Sequence, residues 1–249
     1  MNSMARACSM VVNLLFPRGC AGCDKPDEVL CEACRALFSQ PTAQSFDGVA
    51  MQRWFACGWY RGTVRKAVLA WKDHGDEECD RAFADAICAL AKASGVIDFV
   101  RDRHGSCHDV VVVPAPSSPA SIRRRGRKHM MPIAKHLAGF LREETGCEVT
   151  VRDALENRGV KGKSVQTSGA AQRSQRLKWY VSVCPSVSLR NTMVILVDDI
   201  VTTGATMRSC VETMRKEGAT VVTVLALAHT PAGTQKVGPT QAWSRTQVQ

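Results

Sequence analysis

Two adjacent carboxylates, Asp198 and Asp199, follow the apolar run Val194-Ile195-Leu196-Val197 and precede the small turn Thr202-Thr203-Gly204-Ala205-Thr206. An ionised aspartate can only accept hydrogen bonds, so a pair of them suits the two donors of a vicinal diol. The turn offers a different chemistry. Past Thr206 the apolar residues Met207, Val211 and Met214 take helical spacing, and Gly218 ends the run. A loop that opens a helix leaves backbone N–H groups unpaired at the positive end of the helix dipole, which is where a phosphate fits. Gly204 lets an anion approach the backbone, and Thr202, Thr203 and Thr206 add hydroxyl donors. Diol and phosphate together describe ribose 5-phosphate. A buried strand with a polar exit and a capped helix would explain the helix start, but not two acids placed directly before it.

Further elements must surround this junction. Residues 37–52 are a polar connector with Pro41 and Gly48, and Trp54 to Tyr60 reads as a strand. After Gly62-Thr63 comes a helix with Val64, Val68 and Trp71 on one face. A second helix carries Phe83, Ile87 and Leu90 and ends at Gly95. Lys72-Asp73-His74-Gly75 joins the two; a loop histidine such as His74 is more often surface than catalyst. Asp109 to Val113 is a buried strand ending in Pro114-Ala115-Pro116-Ser117-Ser118. In an open α/β sheet ligands sit beyond the C-terminal strand ends, so Pro114 and Ala115 are candidate neighbours of the acidic turn. A helix with Ile133, Leu137, Phe140 and Leu141 on its core face follows, then short strand Glu148 to Val151. Ala219 to Ala228 is a last buried strand.

Four of the twelve cysteines are arranged: Cys20-x-x-Cys23 and Cys31-x-x-Cys34. Each pair turns two thiolates toward one point, and four complete a tetrahedral zinc site. Two such pairs also make redox switches and iron–sulfur sites. A module this small needs a staple, which favours structural Zn2+. Of the scattered cysteines, Cys57, Cys88 and Cys210 have apolar neighbours and read as core.

The chain has 249 residues, 45% of them hydrophobic, and a net charge of +10. Residues 110–190 hold fifteen Lys or Arg against five acids, so the whole excess lies there. A polyanionic ligand, whether pyrophosphate or nucleic acid, matches that bias; so does a solvated basic surface. Arg123-Arg124-Arg125-Gly126-Arg127-Lys128 is either a clamp for such a ligand or a solvated charge run. Residues 159–169, rich in Gly, Lys, Ser and Thr, read as a basic loop that closes over the site or as a surface excursion. Trp179 and Tyr180 are the aromatics of the basic half available to stack on bases. No run is long enough to span a membrane, and residues 8–16 read as a short packed helix rather than a signal core. A cysteine-rich chain of this kind is expected in the cytoplasm. The expected division is a zinc module in residues 1–40, a ligand-binding domain in 41–230 and a disordered tail in 231–249.

The stretch from Val194 to Thr206 closely resembles the signature of type I phosphoribosyltransferases. The resemblance implies a Rossmann-like α/β fold, a mostly parallel sheet flanked by helices, that binds phosphoribosyl pyrophosphate (PRPP) with Mg2+. Asp198 and Asp199 would take the ribose hydroxyls, Thr202 to Thr206 the 5′-phosphate, and the loop at Pro114 and Ala115 the pyrophosphate. With the two Cys pairs in front, and with Leu14-Leu15-Phe16-Pro17, Trp59-Tyr60-Arg61-Gly62, Lys72, Val112 to Pro116, Arg125-Gly126, Gln166 and Arg173 in matching order, residues 12–230 resemble the ComF family of competence-associated proteins. That family is linked to DNA uptake, which implies single-stranded DNA and a helicase-like protein as partners. Arg127-Lys128-His129 departs from the Phe-Asn-Gln of many relatives, and Arg176 from an Asn. Two functions follow: transfer of phosphoribosyl to an acceptor with release of pyrophosphate, or non-catalytic sensing of PRPP or a nucleotide by a DNA-handling accessory protein.

Overall fold

A computed structural model describes residues 18–103, 109–157 and 181–231. Expectations for the segment 8–16, the basic loop at 159–169, Trp179, Tyr180 and the C-terminal tail lie outside the described residues.

Eight strands and seven helices are described. They are β1 (Thr42–Ser45), β2 (Arg53–Trp59), β3 (Asp109–Pro114), β4 (Val149–Val151), β5 (Leu155–Asn157), β6 (Val181–Val183), β7 (Thr192–Val201) and β8 (Thr220–His229). The helices are α1 (Glu32–Ala36), α2 (Gly62–Asp73), α3 (Cys79–Ala93), α4 (Val96–Arg103), α5 (Pro119–Arg125), α6 (Met130–Thr145) and α7 (Ala205–Lys216). Six strands form one sheet in the order β1-β2-β8-β7-β3-β4; all pairs are parallel except β1 with β2. β5 and β6 pair antiparallel in a small second sheet.

The central strands are apolar on both sides because both faces of the sheet are covered. Along β7, Met193, Ile195 and Val197 join the core built by α2, α3, α4 and α6, while Val194 and Leu196 join the opposite core with Met207, Cys210, Val211 and Met214 of α7. β3 divides in the same way, Val110 and Val112 against Val111 and Val113. This alternation continues into the two acids near the C-terminal end of β7.

Strand order places the ligand crevice. β3 leads through α5 and α6 outward to β4, while β7 leads through α7 to β8 on its other side. The connections leave in opposite directions, which opens the sheet edge between β3 and β7. Pro114 pairs with Val197, and the Ala115 N–H donates to the Val197 carbonyl at 2.8 Å.

The cysteine module shares the core of the α2–α3 face. Its Leu30 and Phe38 are buried there, with Phe38 5.1 Å from the Phe83 ring. Gly58 of β2 passes directly under the module: a Cβ there would meet the Leu37 carbonyl oxygen at 2.5 Å.

Several elements differ from the periodicity reading, the short pair β5 and β6 among them. The connector 37–52 contains strand β1, whose polar residues are held at the sheet edge by backbone pairing and leave no alternating signal. Past Gly95, with φ of 79°, the chain turns and starts α4 rather than ending its helical stretch. The basic run is part of a short helix, α5, with Pro119 in its first turn, Ser118 Oγ accepting from Ser121 N–H, and Gly126 as a left-handed cap. α5 buries no residue, so it has no apolar stripe to read.

Candidate functional site

Asp198 and Asp199 lie near the C-terminal end of the central strand, on opposite faces. Asp199 turns toward α2 and α6 and is 4% exposed. Its Oδ2 accepts from Lys72 Nζ at 2.6 Å and from His129 Nε2 at 2.5 Å. Burial opposes its ionisation, but the His129 hydrogen bond and the Lys72 charge outweigh it and hold this carboxyl well below the usual carboxylate range. Arg125 Nη1 lies 3.2 Å from His129 Nδ1. A guanidinium only donates, so Nδ1 accepts and the proton sits on Nε2, facing Asp199.

Asp198 is half-buried on the α7 face, beside Cys210, whose thiol pKa is raised by burial first and by Asp198 second. Its Oδ1 accepts the Asp199 N–H at 2.9 Å. Burial and the adjacent Asp199 charge push it up to about 8. Thr202 and Thr203 are exposed, Gly204 is buried with φ of 73°, and α7 begins at Ala205. The Ala205 N–H faces Thr203 Oγ1 at 3.4 Å. The first turn of α7 has no acid, and Thr206 there is half-buried. Open amides, hydroxyls and a helix start carrying about half a positive charge can seat a dianionic phosphate.

Beside the crevice lies a cavity of about 510 Å³ lined by Pro114, Ala115, Ser117, Lys128, Asp153 and Asn157, among others. The sheet edge thus brings the acids, the threonine turn and the loop at Pro114 and Ala115 together. His74 stands apart as the exposed residue that caps α2.

The basic run does not present a free cationic surface. Arg124 and Arg125 both pair with Asp73, at 2.8 and 3.1 Å. Arg127 grips Asp80 through two hydrogen bonds of 2.6 and 2.9 Å and reaches Glu77 at 3.4 Å. Lys128 pairs with Asp153. Arg124, Arg125 and Arg127 fasten the α5–α6 junction to the α2–α3 junction, and Lys128 ties it to the segment after β4; Arg124 and Lys128 stay solvated, whereas Arg125 and Arg127 are drawn into the fold. Arg123 alone of the five is exposed without such a pair.

The Sγ atoms of Cys20, Cys23, Cys31 and Cys34 all lie within 4.8 Å of one another, close enough to hold a metal ion. Tetrahedral Zn–S bonds of about 2.3 Å set sulfurs roughly 3.8 Å apart. Cys23 and Cys31 stand at 3.6 Å. Three backbone N–H groups, from Cys31, Gly22 and Cys23, outweigh burial at Cys20 and lower its thiol to about 6, favouring the thiolate a metal needs. Cys57, Cys88 and Cys210 are buried core thiols, all raised by burial.

Lys72 enters the sequence reading only through the family resemblance and His129 only as a departure from it; neither is assigned to the site there. Lys72 ends a helix as an ordinary polar residue, and His129 lies at the edge of a charge run. Only the fold carries them to Asp199.

A phosphoribosyl transferase domain model matches residues 120–242, covering α5 through β8 with the Asp-Asp turn inside. The mostly parallel sheet flanked by helices is the type I phosphoribosyltransferase fold. Among solved structures it is similar to a purine phosphoribosyltransferase from Pyrococcus horikoshii, with 18% identity over 60% of this chain and 75% of that one, at a TM-score of 0.34. The hypoxanthine-guanine phosphoribosyl transferase of L. donovani gives 18% identity over 59% and 71%, at 0.36. The glutamine PRPP amidotransferase of B. subtilis gives 23% over 53% and 25%, at 0.29. No curated protein sequence matches the chain.

The state of Asp198 has a stability consequence. An unfolded aspartate ionises near 3.8, and the folded one near 8. Between those values the folded chain holds a proton that the unfolded chain has lost, so this group's contribution to stability falls as pH rises and is level above about 8. Asp198→Asn removes that dependence. Its melting temperature is expected to gain on the wild type steadily from pH 5 to 8; parallel curves of Tm against pH would show that Asp198 is not a raised carboxyl.

Proposed function

We infer that the protein binds PRPP at the C-terminal edge of β7 and β3 and transfers its phosphoribosyl group to an acceptor. The observation that carries this reading is the junction itself: two carboxylates, a left-handed Gly204 and the uncapped start of α7, opposite the Pro114–Ala115 loop. Thr202, Thr203, Gly204, Ala205 and Thr206 hold the 5′-phosphate, Asp198 and Asp199 the ribose hydroxyls, and the loop at Pro114 and Ala115 the pyrophosphate. Mg2+ carried with PRPP would supply positive charge against the leaving pyrophosphate. In the transfer the C1–oxygen bond to pyrophosphate breaks, the acceptor's lone pair forms the new bond to C1, and the acceptor gives up a proton. Negative charge, held on Asp199 and gained by Asp198 as pH rises through about 8, favours the positive charge that develops on the sugar.

The reading as sensor differs only in the last step: PRPP binds, and the bound state is read out without transfer. Placement of the four-cysteine module before the phosphoribosyltransferase-like domain supports the narrower ComF likeness, and with it DNA handling beside a helicase-like partner in the cytoplasm. The basic run adds little to that, because its charges are paired. No helix among the described residues is long and apolar enough to cross a membrane.

Calorimetric titration with PRPP and Mg2+ tests the ligand. Asp198→Asn is the variant of choice, since Asp199 is tied into the core. Above about pH 8, where Asp198 is ionised, a hydrogen bond to it is worth about 1.5–3 kcal/mol, so roughly a tenfold or greater loss of PRPP affinity is expected there. Undiminished binding would remove Asp198 from the site. Incubation of the PRPP complex with nucleobases and amines then separates the two functions: pyrophosphate appears only if transfer occurs. For the cysteine site, elemental analysis is expected to find one zinc per chain. In Gly22→Ala, whose added Cβ would come within 2.9 Å of Cys34 Sγ and 2.6 Å of Thr63 Cγ2, metal is expected to be lost at lower chelator concentration. DNA binding through phosphates would weaken steeply with salt; no complex with single-stranded DNA at low salt takes DNA out of the account.

A further inference from the structure

The domain match begins at residue 120, yet the charge that holds Asp199 comes from the part of the chain before it. We propose that Lys72 is a positioning residue of the sugar site: together with His129 it pins one carboxylate oxygen of Asp199 so that the other is presented to a ribose hydroxyl. The inference rests on the ribose-phosphate reading above.

Alternation along β7 turns the Asp199 side chain toward the α2–α6 face, away from Asp198. A carboxylate there, 6% exposed at the side chain, is costly without partners. Lys72 and His129 both donate to Oδ2, and no hydrogen bond from either to Oδ1 is found among the described residues. Two donors on one oxygen fix the rotation of the group, while a carboxylate with about four lone-pair sites keeps acceptor capacity on the other.

The two donors are themselves held. Next to Lys72, Trp71 is 1% exposed, packs 5.2 Å from Phe83 and 5.0 Å from His129, and donates from Nε1 to Asp80 at 2.5 Å. Arg125 fixes the His129 ring through Nδ1, and Asp73 in turn holds Arg125. Lys72 and Asp73 are neighbours at the end of α2, so one helix end supplies the cation for Asp199 and the anchor for Arg125. Without the ammonium, Asp199 keeps a single neutral donor in a buried setting, and its carboxylate loses both its charge partner and its fixed rotation. The N-terminal part of the chain therefore completes the site instead of merely preceding it.

The test titrates ribose 5-phosphate, 2-deoxyribose 5-phosphate and 3-deoxyribose 5-phosphate into the full chain. The wild type is expected to prefer the complete sugar over at least one deoxy sugar by about tenfold, the worth of one charge-assisted hydrogen bond. In Lys72→Met that preference collapses, while the phosphate-driven affinity for the same deoxy sugar stays close to wild type. Lys72→Gln, which keeps a donor and loses the charge, runs in parallel and carries the test should the methionine variant not fold. Lys72→Arg restores the preference. An unchanged preference in the variants, or equal loss for all three sugars, overturns the inference. So does a wild type that binds the three alike, which leaves the phosphate site standing. A wild type that binds none of them, nor PRPP, refutes the ribose-phosphate reading itself.

Discussion

A buried carboxylate must be paired, and Asp199 is the one around which this molecule is tied. Transfer of an isolated charge into the interior costs many kcal/mol, so the fold has to deliver partners to it. It delivers Lys72 from the end of α2 and His129 from the start of α6, two elements that are far apart in the chain. Those partners need support in turn. The acidic connection from α2 into α3 provides it on two sides: Asp73, Glu77 and Asp80 take Arg124, Arg125 and Arg127, while Asp76 and Glu78 take Arg18 beside the cysteine module. One short acidic stretch thus holds the module and the basic run against the same sheet.

That arrangement changes the meaning of the basic excess. Charge counted along a sequence measures how much cation is present, not how much is available. Most of the run at 123–128 is neutralised within the fold by acids that lie outside the basic segment. What faces the ligand edge is instead a set of backbone N–H groups and hydroxyls at the start of α7, a weaker but preorganised source of positive potential.

The two acids of the motif carry different burdens. Asp199 is stabilised as an anion by its neighbours. Asp198, one residue away and on the opposite face, feels both burial and the Asp199 charge and is pushed toward its protonated form. A raised carboxyl at the end of a central strand lowers stability near neutral pH, and such a cost is commonly found at functional sites.

Local patterns carried far in this chain. The apolar runs of β3, β7 and β8, the stripes of α2, α3 and α6, the turn at Gly204 and the two Cys pairs were all readable, because each depends on residues close in sequence: periodicity, capping, a left-handed turn, a ligand spacing. β1 and α5 were not, since an edge strand held by backbone bonds and a helix without a buried face leave no periodic trace; α4 was hidden by Gly95, which reads as a helix end although a new helix starts beyond it. The sequence by itself determined that a strand end with two acids would meet a phosphate-type turn, and that four thiols could gather on a metal. Only the tertiary structure decided that the acids face opposite ways, that Lys72 and His129 belong to the site, and that the arginines serve the fold. The reason is physical: local geometry is dictated by short-range sterics and hydrogen bonds, whereas the partner of a buried charge is chosen by whichever distant element the packing of the core brings alongside.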